Sequence, residues 1–135
     1  MDHQLRAAQG VAVDLVREAW PDLTDDDLRL TEVEAYGTPE PTLKGAAMAW
    51  GLASGLVLVT LTRKSVDKAA ISDLDALEWE VSEVPKSGRF GVTGTQFRFR
   101  TPDCPDGFSL FLSDGGRQGD AERLAAWLNS RVGER

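Results

Sequence analysis

The chain has 135 residues, 41% of them hydrophobic and 27% charged, with a formal net charge of −7. These are the values of one globular domain able to bury its own core. The negative surface argues against generic binding to nucleic acid or anionic lipid, whose phosphates it would repel. A single cysteine, Cys104, excludes an internal disulfide and suits a reducing cytoplasm.

The opening Met1 to Arg6 lacks a basic stretch followed by an apolar one, so no signal peptide is expected. Leu5, Ala8, Ala12, Leu15, Val16 and Ala19 recur at three- and four-residue spacing, which predicts an amphipathic helix over residues 3–20. Trp20-Pro21 ends it, because the residue before a proline is pushed out of the helical region. Thr24 and Asp27 have the spacing of a capping box, with a carboxylate one carbon shorter than usual. A single turn over Leu23 to Leu28 then leads into a strand at about Arg29 to Tyr36.

Gly37-Thr38-Pro39-Glu40-Pro41-Thr42 is a proline-rich loop. Ala46 to Leu52 follows as a strand with Met48, Trp50 and Leu52 on one face, and Ala53-Ser54-Gly55 makes a tight turn. The uncharged run from Gly45 to Thr62 is therefore read as two strands, not as a membrane-spanning helix. The second of them, from Gly55 to about Val66, is apolar on both alternating faces. It should be covered on both sides, one face by a core and the other by a helix or loop. Asp67-Lys68-Ala69-Ala70 reads as a short connection.

Leu77, Trp79 and Val81 alternate with Glu78, Glu80 and Ser82, as a strand with one wet face requires. Pro85 to Gly94 is a loop, with Phe90 and Val92 tucked back. Phe97 and Phe99 alternate with Gln96, Arg98 and Arg100. Paired antiparallel, the two strands would set Glu78 and Glu80 beside Arg98 and Arg100, at roughly 0.2–1 kcal/mol for each facing opposite-charge pair. A turn over Thr101 to Gly107 leads to Phe108, Leu110 and Leu112, the last strand. Asp120 is the expected N-cap of a closing helix carrying Leu124, Trp127 and Leu128. The whole, residues 1–135, reads as a single domain.

The chain carries few residue patterns suited to catalysis or metal binding. His3 is the sole histidine and lies at a terminus, so a catalytic triad or an imidazole zinc site has no base or ligand in place. Cys104 sits in an Asp-Cys-Pro turn and reads as inert. The run Asp22, Asp25, Asp26 and Asp27 lacks the alternating ligands, glycine and distal glutamate of a calcium loop. Glu78 and Glu80 on a wet face lack the shielding that acid–base work needs. The glycine-rich segment Asp114 to Asp120 matches no phosphate-binding pattern. No catalytic residue, metal or cofactor is therefore expected.

A run of short antiparallel strands closed by a helix with an inward tryptophan resembles the pleckstrin-homology superfold, in particular its bacterial PH-like and GRAM-like members. The residues that carry the resemblance are Leu56 to Lys64, Ile71 to Val81, Gly94 to Phe99, Phe108 to Leu112 and the helix bearing Trp127. It covers residues 29–132 and leaves the N-terminal helix as an accessory. The fold class it implies is α+β, mainly β: a partly open antiparallel barrel of six to seven strands with a C-terminal helix in its mouth.

Domains of that kind are binding platforms and rarely enzymes. Members that bind phosphoinositides carry basic residues between their first two strands. Here that loop, Gly37 to Lys44, has Glu40, two prolines and one lysine. The expected function is a cytoplasmic, non-enzymatic module for a protein or peptide. The candidate binding surface is Arg63, Lys64, Lys68 and Phe90, with Lys44 near the basic residues. The alternative is a small acidic inhibitor or immunity-type protein whose acidic face, Asp22 to Glu34, neutralises a basic partner. A peripheral membrane adaptor or an enzyme ranks below both. The N-terminal helix is expected to cover a face or end of the barrel, or to pair with a second copy in a homodimer.

Overall fold

The structure, a computed structural model, describes residues 3–29, 31–41, 45–84, 93–114 and 119–132. Among them the helices are α1 (His3–Ala19), α2 (Asp25–Arg29) and α3 (Asp120–Arg131). The strands are β1 (Val33–Gly37), β2 (Ala46–Leu52), β3 (Gly55–Leu61), β4 (Val66–Ile71), β5 (Glu78–Val84), β6 (Gly94–Thr101) and β7 (Cys104–Ser113), with a 3-10 turn at Leu74–Ala76 between β4 and β5. The fold is α+β, with two antiparallel sheets ordered β1-β2-β3-β4 and β5-β6-β7.

The residues of β3 explain the layering. Leu56 and Leu58 face one way and join Ala35, Ala49, Ile71, Leu77, Phe97, Phe99, Leu110, Leu124 and Trp127 in a core shared by both sheets and α3. Val57 and Val59 face the other way, beside Met48, Trp50 and Leu52. The residues that cover this second face are Ala8, Ala12 and Val16 of α1, all fully buried. The apolar stripe of α1 is thus turned onto the outside of the first sheet. Small side chains let the helix backbone come close, and burial of both surfaces supplies the driving force at about 25 cal/mol per Å² of apolar area.

The two sheets meet along one seam and part along another. At the joined side, Thr38 and Phe111 exchange both backbone hydrogen bonds, at 3.1 and 2.6 Å. The chain beyond β1 then crosses the outside of the second sheet. The buried Gln96 side-chain amide donates to the Pro39 carbonyl at 3.1 Å, and Arg98 lies 3.7 Å from Glu40. At the other side β4 and β5 are, among the described residues, the free edges of their sheets, and the pair does not close into a barrel.

Several boundaries differ from those the sequence predicts. β3 ends at Leu61, and Asp67 to Ala70, expected as a connection, form most of β4, paired with β3 from Leu56↔Ile71 to Leu61↔Val66. Asp, Lys and Ala are poor strand formers, so it is the pairing, not local preference, that makes this strand. The first strand begins at Val33 because α2 runs on to Arg29. β7 begins at Cys104, inside the expected turn, as the chain reverses over Pro102 and Asp103. The N-cap of α3 is Gly119, at φ 84°, where a side chain would be strained; Asp120 is the first helical residue, buried and paired with Arg123.

Candidate functional site

The open side is where the architecture leaves backbone and apolar surface uncovered. Among the described residues the large exposed apolar side chains are Val66, at 55%, and Val81, at 45%, one on each free edge. The edges differ in kind.

β5 is guarded by charge. Glu78, Glu80 and Glu83 are all exposed along it, and carboxylates on an edge strand discourage other strands from docking. The antiparallel pairing that the sequence suggests forms, and its register sets Glu78 opposite Arg100 and Glu80 opposite Arg98. The expected ion pairs do not follow from it among the described residues. Arg98 turns instead to Glu40 at 3.7 Å and donates to the Ser109 hydroxyl at 3.2 Å. The loop crossing the outer face competes for the guanidinium, which facing register alone does not reveal.

β4 is built differently. A four-residue turn opens it, held by the Thr62 hydroxyl, which accepts the Lys64 and Ser65 backbone N–H groups at 3.3 and 3.1 Å. The Thr62 N–H donates to the Ser65 carbonyl at 3.0 Å. Antiparallel ladders alternate, so this bond fixes the pattern beyond it. Asp67, Ala69 and Ile71 face β3 with their N–H and C=O groups, and Val66, Lys68 and Ala70 direct theirs outward.

Along that outward edge runs a cleft of about 510 Å³. Ala69, Ala70 and Ile71 form one wall, and Thr101, Pro102, Asp103 and Cys104 at the β6–β7 reversal form the other, with Phe108 behind. The far wall is held in place because the Thr101 hydroxyl accepts the Cys104 N–H at 3.1 Å. The end is closed by the 3-10 turn, in which Asp73 accepts the Asp75 N–H at 3.2 Å and Leu74 drives into the core. Lys68 lies toward one end, Asp73 at the other, and Asp103 across from them. The volume is that of a ligand site, and the lining mixes small apolar groups with a few charges.

No family model, no curated protein and no solved structure matches the chain. What the site does must be read from its own groups.

Of the residues predicted to form a binding surface, Lys68 lines the cleft. Arg63 and Lys64 lie on the turn before β4, exposed and outside its lining. Phe90 and Lys44 fall outside the described residues. Asp73, Ala76, Thr101, Asp103 and Phe108 were not anticipated, because they are far apart in sequence and meet only when β4 pairs and the β6–β7 hairpin folds over. Among the described residues no three His, Cys, Asp or Glu side chains gather as a metal site. Among the same residues no helix is long and apolar enough to cross a membrane.

The acidic stretch from Asp22 to Glu34 is largely occupied within the fold. Asp25 pairs with Arg17 at 3.1 Å, and Asp27 accepts the Thr24 N–H at 2.8 Å. Glu32 accepts from Trp127 and Arg131, and Glu34 from Tyr36.

Proposed function

We propose that the protein is a non-enzymatic binding module built on a pleckstrin-homology-like core, and that its ligand is an extended protein or peptide segment. The observation that carries this reading is the free edge of β4, with outward backbone donors and acceptors running beside a cleft of ligand size. Strand addition uses such an edge: main-chain bonds supply affinity and the neighbouring pocket supplies selectivity. The 4 + 3 division of strands and the tryptophan-bearing C-terminal helix support the kinship with that superfold. A net charge of −7 weighs against anionic membranes as the target.

The test is titration of the purified protein with a panel of extended peptides and, separately, with vesicles of phosphatidylcholine doped with phosphatidylserine or phosphoinositide. Saturable binding to members of the peptide panel, with the vesicles unbound, is the expected result. Binding to anionic vesicles alone would overturn the reading.

One observation favours the inhibitor reading as second. Glu78, Glu80 and Glu83 on β5 make no ion pair among the described residues, which leaves an acidic strand edge for a basic partner. Binding of that sort would weaken steeply as salt rises from about 0.05 to 0.5 M.

A further inference from the structure

We infer that the β4 cleft takes a ligand strand of one polarity and one charge pattern: antiparallel to β4, with a cationic residue leading, small apolar residues in the middle and an anionic residue at the trailing end. This rests on the peptide-binding reading above and names the place and the partner.

The cleft presents opposite charges at the two ends of a directional edge. β4 runs from Val66 to Ile71, so Lys68 precedes and Asp73 follows the outward-facing backbone of Ala70. A strand added antiparallel begins beside Asp73 and ends beside Lys68. A leading cation then meets Asp73, with Asp103 on the opposite wall, and a trailing anion meets Lys68. A parallel strand of the same sequence would place like charges together at both ends, which is destabilising. From Lys68 to Asp73 the edge spans roughly 17 Å, which suits a segment of five or six residues. Ala69, Ala70, Ala76 and Cys104, with Phe108 behind them, give the middle of the cleft a lining suited to apolar side chains.

A second copy of the chain meets charge repulsion in some registers. Self-pairing of β4 about an axis through Lys68 or Asp67 sets two identical charges face to face. At β5 a self-pair about Trp79 would set Glu78 against Glu80. Those registers are disfavoured, whereas a strand whose end charges complement Lys68 and Asp73 meets no such repulsion.

The probes are two capped hexapeptides, lysine-alanine-valine-alanine-valine-glutamate and the same core with the end charges exchanged. Two readouts are taken: affinity, and the rate at which iodoacetamide alkylates Cys104, the only thiol in the chain. The lysine-first peptide is expected to bind about tenfold more tightly than its counterpart and to slow alkylation in proportion to occupancy. Exchanging the charges of the cleft with Lys68→Glu and Asp73→Lys should invert the preference. Lys68→Glu alone, at an exposed position that leaves the fold intact, should abolish it. Ala70→Pro, which removes an outward N–H and keeps the bonds to β3, should weaken both peptides.

If peptides bind while Cys104 stays reactive and the charge exchange changes nothing, the cleft assignment is overturned and the peptide reading survives. If no member of the peptide panel binds, the peptide reading itself falls.

Discussion

Trp127 donates its indole N–H to Glu32 Oε1 at 2.9 Å across 95 residues of sequence, and ties the closing helix to the start of the first strand. Arg131 completes the junction. Its guanidinium donates to the same Glu32 oxygen at 2.7 Å and to the Ala53 carbonyl at 2.9 Å, and lies 5.2 Å from the centre of the Trp127 ring. Trp127→Ala should cost about 3–5 kcal/mol, the cavity and transfer terms together. Glu32→Ala should cost about 1–2 kcal/mol by leaving the indole N–H unpaired. Urea unfolding followed by circular dichroism measures both.

The Trp127 ring fits because of what β2 lacks. A Cβ on Gly51 would stand 2.8 and 2.9 Å from two ring atoms and 2.6 Å from Val33 Cγ1. Gly51→Ala should destabilise by about 1–3 kcal/mol through overpacking. In the background of Trp127→Leu the same change should cost less, since the two positions share one space. A double-mutant cycle in urea tests the coupling, and additive costs would show that the close approach is relieved elsewhere.

Position along α1 decides what a carboxylate does there. Ala12 is fully buried against the first sheet and Ala7 is exposed. Ala12→Asp should cost at least about 3 kcal/mol, because an unpaired charge enters an apolar layer. Tryptophan emission should shift red as Trp50 loses its cover. Ala7→Asp should stay within about 0.5 kcal/mol of the parent.

The outer face of the second sheet should be tolerant. Arg98 and Glu40 are a half-exposed pair at 3.7 Å, worth about 0–1 kcal/mol. Arg98→Ala should remove no more than that, and Glu80→Gln should change thermal stability by less than about 0.5 kcal/mol. A larger loss for Glu80→Gln would show that it is joined to Arg98 in solution after all.

Much of the fold was legible because two signals are local. Alternation placed Met48, Trp50 and Leu52 on one face and set Glu78 and Glu80 on the same face as Arg98 and Arg100. The Thr24–Asp27 capping box forms as its spacing predicts, with the Asp27 N–H donating to the Thr24 hydroxyl at 3.2 Å. β4 was illegible for the opposite reason: Asp67-Lys68-Ala69-Ala70 carries neither alternation nor strand propensity, and becomes a strand by borrowing the ladder of β3. The cleft was lost with it. Its walls come from residues about thirty positions apart, a distance that no periodicity reports.

Every hydrogen-bonded strand neighbour within the two sheets is also the next strand along the chain. Each sheet can therefore grow as a ladder of successive hairpins, with loops closing over short stretches of chain and little entropy lost at each step. What must wait is the joining: the Thr38–Phe111 exchange links residues 73 positions apart, and the indole of Trp127 needs both ladders before it has a floor. The molecule should consequently assemble in two halves that dock late, and the amides of Thr38 and Phe111 should be among the first β-sheet protons to exchange with deuterated solvent.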